Sequence, residues 1–463
     1  MGNAGLDAAI TAMQRAGVDE TAILTFAHYY AQLEEGATGM IVEADIEPVE
    51  PHSLDNVAVS EHDAAHAIRT TAVIKLNGGL GTSMGMDHAK SLLCVRNGLT
   101  FLDIAVRQVL HLRSIYHARL PLIFMNSFRT SRDTLDAIAR YETLGTPGLP
   151  LEFLQNKEPR LLADQLVPVS WPADPELEWC PPGHGDIYTS LHGTGLLDLL
   201  IEQGYERVFV SNSDNLGAVP EPRIAGWFAH SGAPFAIEAV RRTPSDRKGG
   251  HFTRRRCDGR IVLRESAQIQ ASDAADANNI HKHRFMSTNN LWIDLEALRD
   301  TLGARGGILG LPMIRNEKTV DPADPATPKV IQIETAMGAA IEVFDGAELI
   351  EVGRDRFVPV KTTNDLLVLR SDVYELNDEY VLNQVPEDVP FVDLDGDHYK
   401  VVNDFEKRFP DGVPSMEKAD SLRITGDVTF GPDIQVVGHA SVTAPATARL
   451  SGGTVLSGDT HLG

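Results

Sequence analysis

Apolar residues recur at roughly helical spacing early in the chain, at Ile10 and Met13 and then at Ile23, Leu24, Phe26, Ala27 and Tyr30. This spacing predicts helix over residues 1 to about 45. Pro48 and Pro51 break the pattern, and residues 46–55 read as a linker. At Thr71 the period changes. The run Ala72-Val73-Ile74-Lys75-Leu76 is apolar at all but one position and ends in glycines, as a doubly covered strand does before a ligand-facing loop. Similar short runs predict strands at residues 120–125, 151–154 and 207–210, and amphipathic spacing predicts helices at 99–116, 130–141 and 193–203. Strands alternating with helices argue for an α/β fold, a mostly parallel sheet covered on both faces, with ligands held by loops at the carboxyl ends of the strands. Beyond Asp372 the alternation fades. Residues 420–463 hold short Val/Ile/Thr strands between Gly-Pro, Gly-Asp and Gly-Gly turns, which reads as the coils of a small β-helix or as a loose β-rich tail.

A length of 463 residues exceeds one ordinary core, so two or three domains are expected. The formal net charge of −24 repels DNA, RNA and anionic lipid, which argues against a broad nucleic-acid or membrane surface. An anionic small molecule would need a local pocket of Lys, Arg and backbone N–H groups set against that field. Cys94, Cys180 and Cys257 are widely spaced and form no C-x-x-C, so neither a disulfide framework nor a zinc cluster is expected. No run approaches the ~20 apolar residues of a membrane helix. The start, Met1-Gly2-Asn3-Ala4-Gly5-Leu6, lacks a basic, apolar leader and has Leu6 where a myristoylation signal wants Ser or Thr. A cytoplasmic protein is the expectation.

The stretch Leu76-Asn77-Gly78-Gly79-Leu80-Gly81-Thr82-Ser83-Met84-Gly85 carries the most chemistry. Glycines after a strand let backbone N–H groups approach a polyphosphate closely. The loop is not a P-loop, because Lys90-Ser91 follows Ala89 rather than glycine. It is not the dinucleotide fingerprint either, since Met84 stands in the third glycine's place. Lys90 could return over the loop and neutralise phosphate, or remain a solvated lysine. Asp214, at the end of a strand within Asn212-Ser213-Asp214, could ligate a hard cation or merely cap an Asx turn.

Taken together, residues 75–85 with Lys90-Ser91, PLIFMNSFRT (121–130), PPGHGD (181–186), SNSDNLG (211–217), STNNLW (287–292), QIETAMGAAI (332–341) and RFVPVKTTND (356–365) resemble the eukaryotic-type UTP–glucose-1-phosphate uridylyltransferases, in family order over roughly residues 70–440. The resemblance implies a Rossmann-like (GT-A-like) nucleotidyltransferase, a mixed sheet flanked by helices, at residues 56–375. An N-terminal helical segment would occupy 1–55, and a C-terminal domain, 376–463, would end in left-handed β-helix-like coils and could mediate homo-oligomers. It also implies UTP and glucose 1-phosphate as substrates, UDP-glucose and pyrophosphate as products, and Mg²⁺ as cofactor. By the same carry-over, Leu76, Asn77, Gly78, Gly79, Lys90, Gln155, Gly183, Asn212, Ser213 and Asp214 bind the nucleotide. Asp214 holds the metal. His184, Asn289, Asn290 and Glu334 face the sugar phosphate, and Lys361 and Lys90 are catalytic. Lys248 lies at the rim without an assigned role.

The implied reaction fits these residue types. A phosphate oxygen is already a nucleophilic anion, so no general base is needed; the obstacle is repulsion between polyanions, which lysines and a divalent ion relieve. Two departures stand out: Ser287 replaces the family's usual Asn, and Asp355 replaces Ser or Thr between Arg354 and Arg356. Asp355 could pair with either arginine or weaken the phosphate site. A pyrophosphorylase for another UDP-sugar or UDP-N-acetylhexosamine is the nearest alternative. A binding protein without turnover is expected to lack Asp214, Lys90 or Lys361, and all three are present.

Overall fold

The computed structural model describes residues 4–243, 246, 249–322 and 324–463. Its centre is an eight-stranded sheet. In chain order the strands are β1 (His52–Ser53), β2 (Thr71–Asn77), β3 (Leu122–Asn126), β4 (Glu152–Leu154), β5 (Arg207–Asn212), β6 (Phe235–Arg241), β7 (Phe285–Asp294) and β8 (Glu348–Glu351). Across the sheet they run β1-β8-β6-β7-β5-β2-β3-β4. Only β7 is antiparallel to its neighbours, β5 and β6; the other pairings are parallel.

The central strands are buried on both sides, which is why they read as continuous apolar runs. Ala72 and Ile74 face one core with Ile123, Met125, Val208 and Val210. Val73 faces the opposite core with Leu122, Phe124, Phe209 and Trp292. The helix Phe101–Tyr116 covers that second face and starts on a reciprocal Thr100–Asp103 capping box.

The N-terminal helical pattern resolves into Ala4–Arg15 and Glu20–Glu34, the second capped by Asp19. They pack on a separate small core with Leu161, Ile331 and Ile333. Helix ends at Glu34 rather than near residue 45, and only a short 3₁₀ turn follows at Glu43–Asp45. The expected linker is used structurally: Ile46–Pro48 pairs with His251–Arg255, and His52–Ser53 forms the sheet edge. The helix expected at 193–203 runs over Leu196–Glu202, and Gly195 at φ 71° parts it from a helix that was not expected, Asp186–Gly193. The helix Asp186–Gly193 starts three residues after Gly183 of Pro181-Pro182-Gly183, where composition alone indicates a turn.

Six further strands end the chain: β9 (Phe391–Leu394), β10 (Ser415–Thr425), β11 (Val428–Phe430), β12 (Gln435–Thr443), β13 (Ala448–Leu450) and β14 (Val455–His461). The strands β9-β10-β12-β14 form one parallel sheet, and β11 and β13 form a parallel pair. Ile424, Val442 and Thr460 lie in register on successive strands. The apolar interior of this region is continuous with Met84 and Met86 of the glycine-rich segment and with Leu216, Val358 and Val360. Among the described residues no helix is long and apolar enough to cross a membrane.

Candidate functional site

The loops after β2 and β5 abut at the carboxyl edge of the sheet. Asn212 pairs with Leu76, and the Ser213 amide donates to the Leu76 carbonyl at 3.0 Å. The Asn77 side chain turns inward and donates to Asn126 and Thr134, each at 2.8 Å, so what the loop offers outward is backbone. A Cβ on Gly78 would lie 2.7 Å from Gln155 Oε1, while Gly79 faces open space. Only glycine lets Gln155 approach the loop this closely. The Gly79 carbonyl accepts from the Lys90 amide at 3.1 Å, and Gly81 turns the chain at φ 69°. Leu76, Gly78, Gly79, Gln155, Asn212 and Ser213 therefore line one edge.

The positive charge of the site is centred on Lys90. Its Nζ lies 2.6 Å from Asp214 Oδ2 and also donates to the Val360 carbonyl, one residue before Lys361. Asn215 reinforces this link. Its Oδ1 accepts from the Val358 amide at 2.9 Å, its Nδ2 donates to the Arg356 carbonyl at 3.1 Å, and its backbone bridges Pro359. Lys361 is exposed. Its amide and that of Thr362 both donate to Asp365 Oδ2 at 2.8 Å, inside the capping box that starts the helix Thr363–Arg370. The Lys90 side chain thus meets the strand-end carboxylate, and its second partner, Val360, precedes Lys361 and a helix start.

Asp214 offers oxygen to a cation, and among the described residues no group of three or more His, Cys, Asp or Glu is arranged to hold a metal. A single carboxylate suits Mg²⁺, which keeps several waters and completes its shell with substrate phosphates. The residues present fit such an ion.

On the other side of the edge, Gly183 sits at φ 81°, and a Cβ there would lie 2.5 Å from the Thr335 carbonyl. Thr335 donates its amide to the Pro182 carbonyl at 3.0 Å and accepts from the Gly185 amide at 2.9 Å, clamping the Pro-Pro-Gly turn against β-strand residues 329–335. His184 Nδ1 accepts from the Met337 amide at 2.9 Å, which leaves the proton on Nε2. Burial lowers the pKa of the ring and keeps it neutral, so it can donate from Nε2. Glu334 lies beside Gly183 and is approached by Lys318 Nζ at 3.4 Å. A hydrogen bond from the Asn156 amide to Asp186 joins this turn to the Gln155 segment.

The two asparagines of β7 divide. Asn289 is half-buried with φ 59°, and its amide donates to Ser287 Oγ at 3.0 Å. Asn290 is fully buried, and its Nδ2 donates to Glu238 Oε2 at 2.9 Å. Its side chain braces the site from beneath rather than lining it.

Residue reading along the chain did not single out the group under this edge. Glu238 is completely buried and accepts from Arg356 Nε and Nη2 at 2.6 and 2.7 Å, from Asn290, and from Trp292 Nε1 at 3.0 Å. Burial alone would lower the Arg356 pKa, but the Glu238 carboxylate holds it above its usual value. Lys75, also buried, donates to Ser211 Oγ at 2.8 Å and to the Ala218 carbonyl at 2.7 Å. Burial and the Arg356 charge pull its pKa down to about 7, against the pull of Glu238 and Asp214. A charged residue amid an apolar strand, as in Phe235-Ala236-Ile237-Glu238-Ala239-Val240, was the available signal. Asp355 is exposed and folds back over Gly353, while Arg354 pairs with Asp246 at 3.0 Å and Arg356 with Glu238. Lys248 lies outside the described residues.

Known proteins are similar to this chain over most of its length. The family model described as UTP–glucose-1-phosphate uridylyltransferase matches residues 23–436. The UTP–glucose-1-phosphate uridylyltransferase of Hordeum vulgare is 39% identical over 383 residues, 82% of this chain and 78% of the relative. That of Saccharomyces cerevisiae is 42% identical over 371 residues, 79% and 72%. A crystal structure of UDP-glucose phosphorylase from Trypanosoma brucei superposes with a TM-score of 0.93 at 41% identity, covering 99% of this chain and 100% of that one. A point variant of Leishmania major UDP-glucose pyrophosphorylase in complex with UDP-glucose gives 0.92 at 41% identity, covering 99% of both chains. A match that takes in the glycine-rich segment, the Asp214 loop and Lys361 alike makes this chain a member of the UTP–glucose-1-phosphate uridylyltransferase family.

Proposed function

We infer that the protein catalyses UTP + glucose 1-phosphate ⇌ UDP-glucose + pyrophosphate. A phosphate oxygen of the sugar phosphate attacks the α-phosphorus of UTP in line; the bond to the bridging oxygen breaks and pyrophosphate leaves. The observation that carries this reading is Lys90, whose ammonium lies between the Asp214 carboxylate and the Val360 carbonyl beside Lys361. One cation thus ties the glycine-rich segment to two other loops that polyphosphate chemistry would use.

In this reading the backbone of Leu76, Asn77, Gly78 and Gly79 cradles the phosphates. Gln155 and the Gly183 turn hold the base, with a side-chain amide that both donates and accepts to match an imide edge. Asn212 and Ser213 orient the ribose side. His184, Asn289 and Glu334 contact the sugar phosphate, with Asn290 behind them. Lys361 and Lys90 offset charge that grows on the departing pyrophosphate, where such contacts act most strongly. A Mg²⁺ ion held by Asp214 would shield the phosphates from one another. Residues 1–55, 56–375 and 376–463 serve as helical cover, catalytic domain and a left-handed β-helix-like tail that could pair copies of a cytoplasmic enzyme.

Pyrophosphate release from UTP, measured against a panel of sugar 1-phosphates with Mg²⁺ or EDTA present, tests the whole reading. Glucose 1-phosphate is expected to rank first and EDTA to abolish turnover. A higher rank for galactose 1-phosphate or an N-acetylhexosamine phosphate would move the assignment to another UDP-sugar pyrophosphorylase.

A further inference from the structure

The last residue of the Pro-Pro-Gly-His-Gly-Asp motif has no role in the reading above, yet its carboxylate accepts three hydrogen bonds beside the segments read as base contacts. Asp186 is 4% exposed. Its Oδ2 accepts from the Asn156 amide at 2.6 Å and from Ser190 Oγ at 2.8 Å, and its Oδ1 accepts from Asn156 Nδ2 at 2.9 Å. Asn156 Nδ2 also reaches Ser190 Oγ at 3.0 Å. Asn156 follows Gln155, whose own amide is held by the Asn126 carbonyl at 2.8 Å and whose side chain lies against Gly78. On its other side Asp186 is three residues from Gly183. A single buried carboxylate therefore spans the two segments read as base contacts.

We propose that Asp186 is a positioning residue for uracil, fixing the distance between the Gln155 amide and the Gly183 turn. The proposal rests on the assignment of those two segments to the base. An acceptor is required at this point: the Asn156 N–H is a part-buried backbone donor facing a buried carboxylate, and losing its partner costs alignment as well as energy.

Burial raises the Asp186 pKa to about 6, against the hydrogen bonds from Asn156 and Ser190 that favour the carboxylate. Near it lies the buried Glu158 carboxyl, its pKa itself raised by burial and by the Asp186 charge, with Lys157, Tyr29 and Tyr188 lining a pocket that Asp186 also lines and Glu334 beyond. Above pH 6 the carboxylate accepts all three bonds. Below it, one oxygen carries a proton and an acceptor is lost, so nucleotide affinity falls as pH drops through about 6. Stability has the opposite sign. A folded-state pKa raised above the usual carboxylate range means that ionisation disfavours the fold, so protonation leaves melting unchanged or raised.

Calorimetry with UTP and CTP, alongside steady-state kinetics, separates positioning from bulk structure and from turnover. Asp186→Ala should weaken UTP binding at least tenfold, narrow the preference for UTP over CTP, and leave kcat at saturating UTP within threefold. Asp186→Asn keeps one acceptor, as the protonated carboxyl does; at pH 7.5 it should bind UTP about as weakly as wild type does at pH 5.5, and it should lose the further weakening that wild type shows between those two pH values. Unchanged UTP affinity and selectivity in Asp186→Ala would overturn the proposal, as would a pH profile of Asp186→Asn that follows wild type. Wild-type protein that bound UTP but released no pyrophosphate with any sugar phosphate would instead sink the functional reading and leave this one standing on its affinities.

Discussion

Lys361 and Glu238 illustrate two different dependencies on charge. Lys361 is exposed and acts, in the proposed reaction, on charge that appears only as pyrophosphate departs. Lys361→Ala should therefore lower kcat by about 10²-fold or more while the UTP dissociation constant stays within threefold, a split readable by combining titration with initial rates. Glu238 touches no substrate in this reading, but among the described residues it is the one carboxylate bonded to the buried Arg356 guanidinium. Glu238→Gln leaves that cation uncompensated, and chemical denaturation should register a loss of about 3–5 kcal/mol, the usual result of removing one partner from a buried pair. A loss within 1 kcal/mol would mean that solvent reaches Arg356 when its partner is gone.

At the scale of elements, tight turns hold the cleft together. Gly183→Ala would put a methyl group against the Thr335 carbonyl and force an L-residue to φ 81°, so the turn must open. UTP KM should rise about tenfold or more, with a smaller change in the KM for the sugar phosphate. How much of this was legible beforehand follows from the range of the interactions. The strands at Thr71–Asn77 and Arg207–Asn212 were readable because doubly covered strands are apolar along their length. The glycine-rich loop was readable because Gly78, Gly79, Gly81 and Gly85 cluster directly after a strand. β7 was not foreseen as a strand, because Ser287-Thr288-Asn289-Asn290 gives it a polar stretch that only buried partners across the sheet can accommodate. The helix starting at Asp186 was hidden by the turn residues before it, and the Glu238 hub by its pairing with Arg356, far along the chain. Site roles came from resemblance across several motifs; local pattern could name candidates such as Lys90 but not bring Lys90, Asp214 and Val360 to one point.

For the whole molecule, the boundary near residue 376 does not separate two interiors. Phe430, Val428 and Leu422 of the tail share one apolar cluster with Met84 and Met86 of the glycine-rich segment. Calorimetry should therefore show the tail and the catalytic sheet melting in a single transition. Phe430→Ala, at a fully buried site, should cost about 3–5 kcal/mol and lower turnover in parallel, although its side chain lies far along the chain from any substrate contact. Two resolved transitions, with turnover surviving the first, would show that the regions unfold independently.

The close approach of Gly85 to Val401 has one more consequence. A Cβ on Gly85 would lie 2.6 Å from the valine side chain, so the glycine-rich segment settles against a residue made late in synthesis. Ribosomes release the amino end first. A nascent polypeptide thus holds every lysine and carboxylate read into the site before it has the valine on which this segment rests, so a product truncated short of residue 401 should keep its glycine-rich loop unsupported, as proteolysis at that loop would report.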